Sequence, residues 1–335
     1  MGIHIIAEAG SNYNGSVELA QDLNTVAAES GADSVKYQII YPEGLYRQAQ
    51  YHYGHYDISE VLRIRQEGVL TDDEWRTVFE DAYEKNIPCS ASAFDLKGLK
   101  LLESLNCPYL KIASSDLNNV RFLREAASYG KTMVVSTGMS SLSDIENSVN
   151  VLSKEGIEGE KLVLLHCVSA YPSLLQDTNL SFINTLKHAF GTAVGFSDHT
   201  LSSEAACAAV ALGATWIEKH FTTDRTLSGF DHKHAAEPAV MKEYVASIRA
   251  IEASLQYQPA KIGEAENYTR QRARRGLYAA RDIPAGQTIT DEDILIVRPQ
   301  NHMPAESIDR IVGKPISTAV KANDPIEPHH FWQSK

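Results

Sequence analysis

The sequence predicts a (β/α)8 barrel followed by a small β-rich domain, and three observations carry that expectation. Short apolar, β-rich runs alternate with helix-periodic stretches from the first residues to about residue 255, the pattern of parallel strands joined by crossover helices. Eight such units can be counted, and eight over roughly 250 residues match a closed barrel better than a doubly wound sheet. Beyond residue 272 the alternation stops, and short runs punctuated by proline and glycine replace it.

The strands are expected at 3–8, 34–38, 87–92, 108–112, 131–136, 161–167, 192–196 and 214–220, each followed by a helical stretch such as 16–30 or 202–212. The connection 39–70 is too long for an ordinary strand-to-helix loop and holds Tyr41, Tyr46, Tyr51, Tyr53 and Tyr56. On a barrel it would lie at the catalytic face, either as a packed cover or as a direct grip on substrate. The barrel domain spans 1–255, a polar linker 256–272, and the C-terminal domain 273–335. Arg270, Arg272, Arg274 and Arg275 open the last segment, as a solvated face or as a contact for an anion. Pro284-Ala285-Gly286-Gln287, Arg298-Pro299 and Asp324-Pro325 mark its turns.

The chain has 335 residues, 43% hydrophobic and 22% charged, so it can bury a substantial core. A net charge of -12 with mixed signs provides no basic stripe for a phosphate backbone, which argues against nucleic acid as a partner. No apolar run is long enough for a bilayer, and Met1-Gly2-Ile3-His4 leads straight into a strand without a basic leader. A cytoplasmic protein is therefore expected. Cys89, Cys107, Cys167 and Cys207 are far apart amid apolar or small residues, and read as reduced, buried thiols.

In a barrel, polar residues at the C-terminal strand ends share one site. They are Glu8, Lys36 with Gln38, Lys111 with Ser114 and Ser115, Ser136-Thr137-Gly138, His166, Ser197-Asp198-His199 and Glu218-Lys219-His220. Three lysines and several hydroxyls at one mouth suit a multiply charged anion, such as a phosphate carrying a carboxylate. His199 and His220 end consecutive strands and become neighbours in a barrel. Either one alone reads more readily as a hydrogen-bonded core or surface residue. Together, with Asp198 and Glu218 beside them, they suit a transition metal such as Mn2+ better than the all-oxygen cages of Mg2+ or Ca2+. Asp231-His232-Lys233-His234 is an exposed loop cluster that could add to that site. Glu8, before the Gly10-Ser11-Asn12 turn, is a base, a hydroxyl ligand or a brace for the loop.

Taken together these strand ends resemble the bacterial branch of the sialic acid synthase family. The resemblance runs through Ile6-Ala7-Glu8-Ala9-Gly10-Ser11-Asn12-Tyr13-Asn14-Gly15, Val35-Lys36-Tyr37-Gln38, Lys111-Ile112-Ala113-Ser114, Ser136-Thr137-Gly138-Met139, Ala170-Tyr171-Pro172, Gly195-Phe196-Ser197-Asp198-His199-Thr200 and Glu218-Lys219-His220-Phe221-Thr222. From Arg274-Arg275-Gly276-Leu277-Tyr278 to Val297-Arg298-Pro299 the chain resembles the antifreeze-like (SAF) domain that closes this family's architecture.

The resemblance implies condensation of phosphoenolpyruvate with an amino-sugar aldehyde. Lys36, Lys111, Ser114, Ser136 and Ser197 would hold phosphoenolpyruvate. His199 and His220 would ligate Mn2+, with Mg2+ or Co2+ as alternatives. Glu8, Gln38, Tyr171 and Asp231 would position the sugar, and Arg298 would reach its N-acyl group. It also implies a domain-swapped homodimer, in which that domain covers the other subunit's site. Two departures bear on the acceptor. Ser115-Asp116 stands where sialic-acid-forming members commonly carry glycine and glutamate, which puts a shorter carboxylate, Asp116, where a sugar hydroxyl is read. Ser169 stands where some members use asparagine against phosphoenolpyruvate. The acceptor is therefore open among N-acetylmannosamine and 2,4-diacetamido-trideoxy sugars of the legionaminic or pseudaminic type. Two competing readings are a phosphoenolpyruvate synthase acting on a tetrose or pentose phosphate, and a sugar-binding protein without catalysis. The first predicts additional basic residues for the acceptor's phosphate, and the C-terminal domain argues against it; the second has no use for the constellation of Lys36, Lys111, His199 and His220.

Overall fold

Polar caps and β-branched runs set the local structure. Ser16 accepts the Leu19 N–H at 3.1 Å and starts helix α1 (Val17–Ser30), which ends on Gly31 in the left-handed region. Thr71 and Glu74 form a reciprocal capping box at α2 (Asp72–Glu84), and Ser141 with Asp144 does the same at α5 (Leu142–Lys154). The computed structural model describes residues 2–53, 56–256 and 262–331. They divide into two units, residues 1–256 and 257–335.

In the first unit, eight parallel strands close into a barrel in sequence order: β1 (His4–Gly10), β2 (Ser34–Ile39), β3 (Cys89–Ala93), β4 (Tyr109–Ile112), β5 (Thr132–Ser136), β6 (Leu162–Cys167), β7 (Ala193–Asp198) and β8 (Trp216–His220). Between them lie α1, α2, α3 (Leu96–Ser104), α4 (Val120–Ser128), α5, α6 (Phe182–Phe190) and α7 (Glu204–Ala211), and α8 (Pro238–Ser254) follows β8. The (β/α)8 expectation holds, with strand limits within a few residues of those read from the sequence.

Side-chain alternation splits each strand between two cores. Outward residues such as Ile5, Val35, Tyr37 and Phe196 pack under the helices. Inward residues Ile6, Tyr109, Val134, Val163 and Leu165 fill the barrel floor, with Trp216 packed against them. Two residues further along those inward faces the character changes to Glu8, Lys111, Ser136, Cys167 and Glu218. Register fixes their neighbours: Glu8 lies opposite both Lys36 and His220, and Glu218 opposite Ser197.

The described part of the connection 39–70 holds helices Pro42–Leu45 and Ile58–Glu67 and a two-residue ribbon, His52–Tyr53 with Tyr56–Asp57. Tyr41 is buried, donates to Asp72 at 3.2 Å and lies under the Lys97 ammonium, a packing role rather than a grip on substrate. The side chains of Tyr53 and Tyr56 lie outside the described residues. All four cysteines are free, but Cys207 is only half-buried, against the expectation for it.

The second unit begins inside the expected linker. Residues 257–261 lie outside the described residues, and α9 (Glu264–Ala273) then carries Arg270 and Arg272 in its last turn, where cations complement the helix dipole. Strands β9 (Gly276–Ala279) and β10 (Ile294–Val297) pair antiparallel over two small cores, one around Ile283, Ile289 and Ile316 and one around Leu277, Met303 and Ile326. Asp293 ties this unit together. Its buried carboxylate accepts from the Thr290 N–H and hydroxyl at 2.9 and 2.8 Å and from Arg281 at 2.7 Å.

Candidate active site

The inward residues of β1, β2, β4 and β8 build a buried ionic cluster. Lys36 Nζ lies 2.6 Å from Glu8 Oε2 and 3.6 Å from Glu218 Oε2, and Lys111 Nζ lies 3.7 Å from Glu218 Oε1. Ser197 donates to Glu218 at 2.9 Å, Lys36 to Ser92 at 3.1 Å, Lys111 to Ser136 at 2.7 Å, and Gln38 to Glu8 at 3.1 Å. Two ammonium groups and two carboxylates balance formally, but they do not share charge equally. Burial, reinforced by Glu218, pushes the Glu8 carboxyl up against the pull of Lys36. Burial also opposes the charge of Glu218, yet Lys111 and Lys36 outweigh it and hold that carboxyl well down. Glu218 is thus the fixed anion, and Glu8 is the group that can exchange a proton near neutrality.

Beside this cluster lies a ring of small polar groups. The Gly138 N–H donates to Ser114 Oγ at 3.0 Å. A Cβ at Gly138 would come within 2.4 Å of Ser169 Oγ and 2.8 Å of Ser114 Oγ, so only glycine lets these hydroxyls converge. Burial depresses Lys111, which the nearby Glu218 counters only in part. An anion bound here would relieve that penalty.

His199 and His220 meet as the barrel register requires, with ring centroids 5.5 Å apart. His199 Nδ1 donates to the Val168 carbonyl at 2.8 Å, which leaves Nε2 as its free lone pair. His220 Nδ1 is buried with no hydrogen-bond partner among the described residues. Burial pushes its pKa down to about 4, despite Asp231 nearby, so the imidazole is neutral as a metal ligand must be. Asp231 approaches from the loop after β8, accepting from Ser11 Oγ at 3.3 Å. It lies so close to Gly10 that a Cβ there would stand 2.9 Å from Asp231 Oδ2. No group of three or more His, Cys, Asp or Glu among the described residues is arranged to hold a metal. His199 Nε2 and His220 Nδ1 are the two donors that a bound ion would find here, with water or substrate to complete its shell. The Tyr171 ring, after β6, covers His199 at 4.2 Å.

Lys219, Asp198, His166 and His232 point elsewhere. Lys219 and Asp198 have the outward parity of their strands. Lys219 donates to Asp198 at 3.2 Å and to the Thr200 carbonyl, and Tyr244 of α8 donates to Asp198 at 2.8 Å. The mouth therefore holds two lysines, not three. His166 hydrogen-bonds the Thr178 carbonyl at 2.6 Å and packs between Phe182 and Phe196, away from the barrel axis. His232, expected in an exposed cluster, is fully buried. Its Nε2 accepts from Asn14 and its Nδ1 donates to Thr222, a bracing role. Asp116 is bonded locally to Ser115 and Asn119, and burial raises its pKa. Arg298 is exposed on the second unit, immediately after β10. Glu218, weighed at sequence level only as a neighbour of the histidines, is the centre of the ionic cluster. Its two-residue spacing from His220 was the signal, since it places both side chains on one face of β8.

Residues 23–259 match the NeuB family and residues 274–331 match the SAF domain. The chain is 36% identical over 315 residues to the N,N'-diacetyllegionaminic acid synthase of Campylobacter jejuni, covering 92% of this chain and 94% of that protein. It is 35% identical to the enzyme of the same name from Legionella pneumophila, covering 99% and 95%. Among solved structures, the N-acetylneuraminic acid synthetase of Leptospira borgpetersenii in complex with citrate superposes with a TM-score of 0.71 at 34% identity, covering 80% of this chain and 90% of that one.

Proposed function

The chain belongs to the NeuB family, and from that premise we propose that it condenses phosphoenolpyruvate with the open-chain aldehyde of an N-acylated amino sugar, giving a nonulosonic acid and phosphate. The observation that supports this most is the pair of buried lysines, Lys36 and Lys111, bridged by Glu218 at the barrel end that also carries the two histidines. A binder of neutral sugars has no need to bury two ammonium groups.

Phosphoenolpyruvate exchanges its hydration for Lys36, Lys111, Ser114, Ser136, Ser169 and Ser197. Its C3 attacks the aldehyde carbon, forming the carbon–carbon bond while the aldehyde oxygen takes up a proton. Water adds at C2 and loses a proton, the C2–O bond breaks, and inorganic phosphate leaves behind a ketone. Glu8, held near neutrality by burial, is assigned as acceptor of the water's proton, with Gln38 fixing its other oxygen. Mn2+, or Mg2+ or Co2+ in its stead, held by His199 and His220, supplies Lewis acidity toward the aldehyde oxygen when bound. Tyr171, Asp116 and Asp231 are assigned to the sugar. Arg298 is assigned to the acyl group of a sugar in the other subunit of a domain-swapped homodimer. The free thiols accord with work in the reducing cytoplasm.

Incubating the protein with phosphoenolpyruvate, Mn2+ and a panel of N-acetylmannosamine and diacetamido-trideoxyhexoses should release phosphate and give a product heavier than the acceptor by the pyruvyl unit. No release with any acceptor would overturn the reading.

A further inference from the structure

The cavity bounded by Tyr171, His199, His220 and Asp231 is only about 20 Å3, room for little more than one water and far too small for a six-carbon chain. Phe230, which borders it, also borders a second pocket of about 350 Å3, the size of a small-molecule site. The two are joined at a second point, because Ser11, in the wall of the larger pocket, donates to Asp231 in the wall of the smaller. Four residues of the larger pocket define its chemistry. Ile40, Ile64 and Phe230 are apolar, and Arg65 lays its guanidinium on the Phe230 ring at 4.1 Å. The Nε of Arg65 is buried there with no hydrogen-bond partner among the described residues. A buried donor left unpaired is costly, and one on a residue that lines a pocket is satisfied by a ligand acceptor that reaches it.

We propose that this pocket receives the tail of the acceptor sugar, the end remote from its aldehyde, and that Arg65 is a specificity-determining residue whose Nε donates to an acylamino carbonyl on that tail. The proposal rests on the condensation reading for which end of the sugar reacts. The apolar patch of Ile40, Ile64 and Phe230 beside the unpaired Arg65 Nε matches a deoxy, acylamino-bearing tail. It does not match a phosphorylated one: the other guanidinium, Arg63, is already paired with Glu67 at 2.6 Å, and the Glu67 carboxylate would repel a phosphate.

The test uses the full-length protein and reduced, open-chain alditols, which bind without reacting. Three are titrated calorimetrically: those of 2,4-diacetamido-2,4,6-trideoxymannose, N-acetylmannosamine and N-acetylmannosamine 6-phosphate. The diacetamido alditol should bind tightest, and Arg65→Met, which keeps the bulk and removes the donor, should weaken it about tenfold or more while leaving phosphoenolpyruvate affinity unchanged. Phe230→Leu should weaken the same ligand less. Equal affinity in Arg65→Met, a preference for the phosphorylated alditol, or a parallel loss of phosphoenolpyruvate binding would each overturn the proposal. Because binding is read without turnover, Arg65-dependent recognition in a protein that releases no phosphate would sustain the pocket and sink the condensation instead.

Discussion

The floor and the mouth of the barrel are built from the same strands, two residues apart, and treat polarity in opposite ways. On the floor, Ser34 hydrogen-bonds both His4 and Tyr109 at 2.9 Å, and His4 stacks on Trp216. Among the described residues, no buried side-chain nitrogen or oxygen of His4, Ser34 or Tyr109 is left without a partner. At the mouth, His220 Nδ1 and Glu218 Oε2 have no hydrogen bond among the described residues, and a buried lysine is held at a depressed pKa. Folding alone selects the first arrangement; the second costs stability, and groups left in that condition are the signature expected of a binding site.

The largest expected break in that comparison is His220→Ala. Turnover should fall on the order of 10³-fold with the thermal midpoint little changed, since the imbalance lies in function and not in packing. A near-normal rate in steady-state phosphate release would remove the metal assignment. Trp216→Ala on the floor should do the reverse, costing on the order of 3–5 kcal/mol in urea denaturation through the cavity it opens. At low temperature the folded fraction of that variant should keep its rate, and a lost rate there would blur the division between layers. A smaller effect is expected from Arg298→Ala, about a tenfold rise in KM for N-acylated sugars with KM for phosphoenolpyruvate unchanged. An unaltered KM would show that the second unit makes no contact with the acyl group.

The smallest effect concerns pH and the second unit. Burial of Asp293 favours its neutral form, but the Thr290 N–H and hydroxyl and the Arg281 guanidinium outweigh that and hold its pKa below the usual value. Its contribution is therefore complete above about pH 4 and is lost as pH falls through the lowered value. The wild-type unit should lose thermal stability on acidification below pH 4, and Asp293→Asn should flatten that dependence. An equally steep profile in the variant would move the cause to other carboxylates.

The eight strands, and with them the barrel, were legible because alternating β-branched runs and capped helices are local patterns. The lysines and histidines of the site were legible because strand ends in a closed barrel converge whatever the intervening sequence. Facing was misjudged at Lys219 and Asp198. Both sit at strand ends, but only the period of two, counted from the inward Trp216 on β8 and the inward Ser197 on β7, tells that they point at α8. His232 looked exposed by its charged neighbours, and its burial depends on Asn14 and Thr222 arriving from other loops.

What the sequence determined by itself is therefore the order and kind of the elements, the family, and the chemical types gathered at the mouth. These follow from near-neighbour propensities and from residue identity. The tertiary structure alone decided that burial pushes Glu8 up while the lysines hold Glu218 down, that Glu218 bridges two lysines, and that Arg65 meets Phe230 across 165 residues of chain. Those facts depend on register and burial. Burial strips water from a charged group only once all eight strands have closed around it.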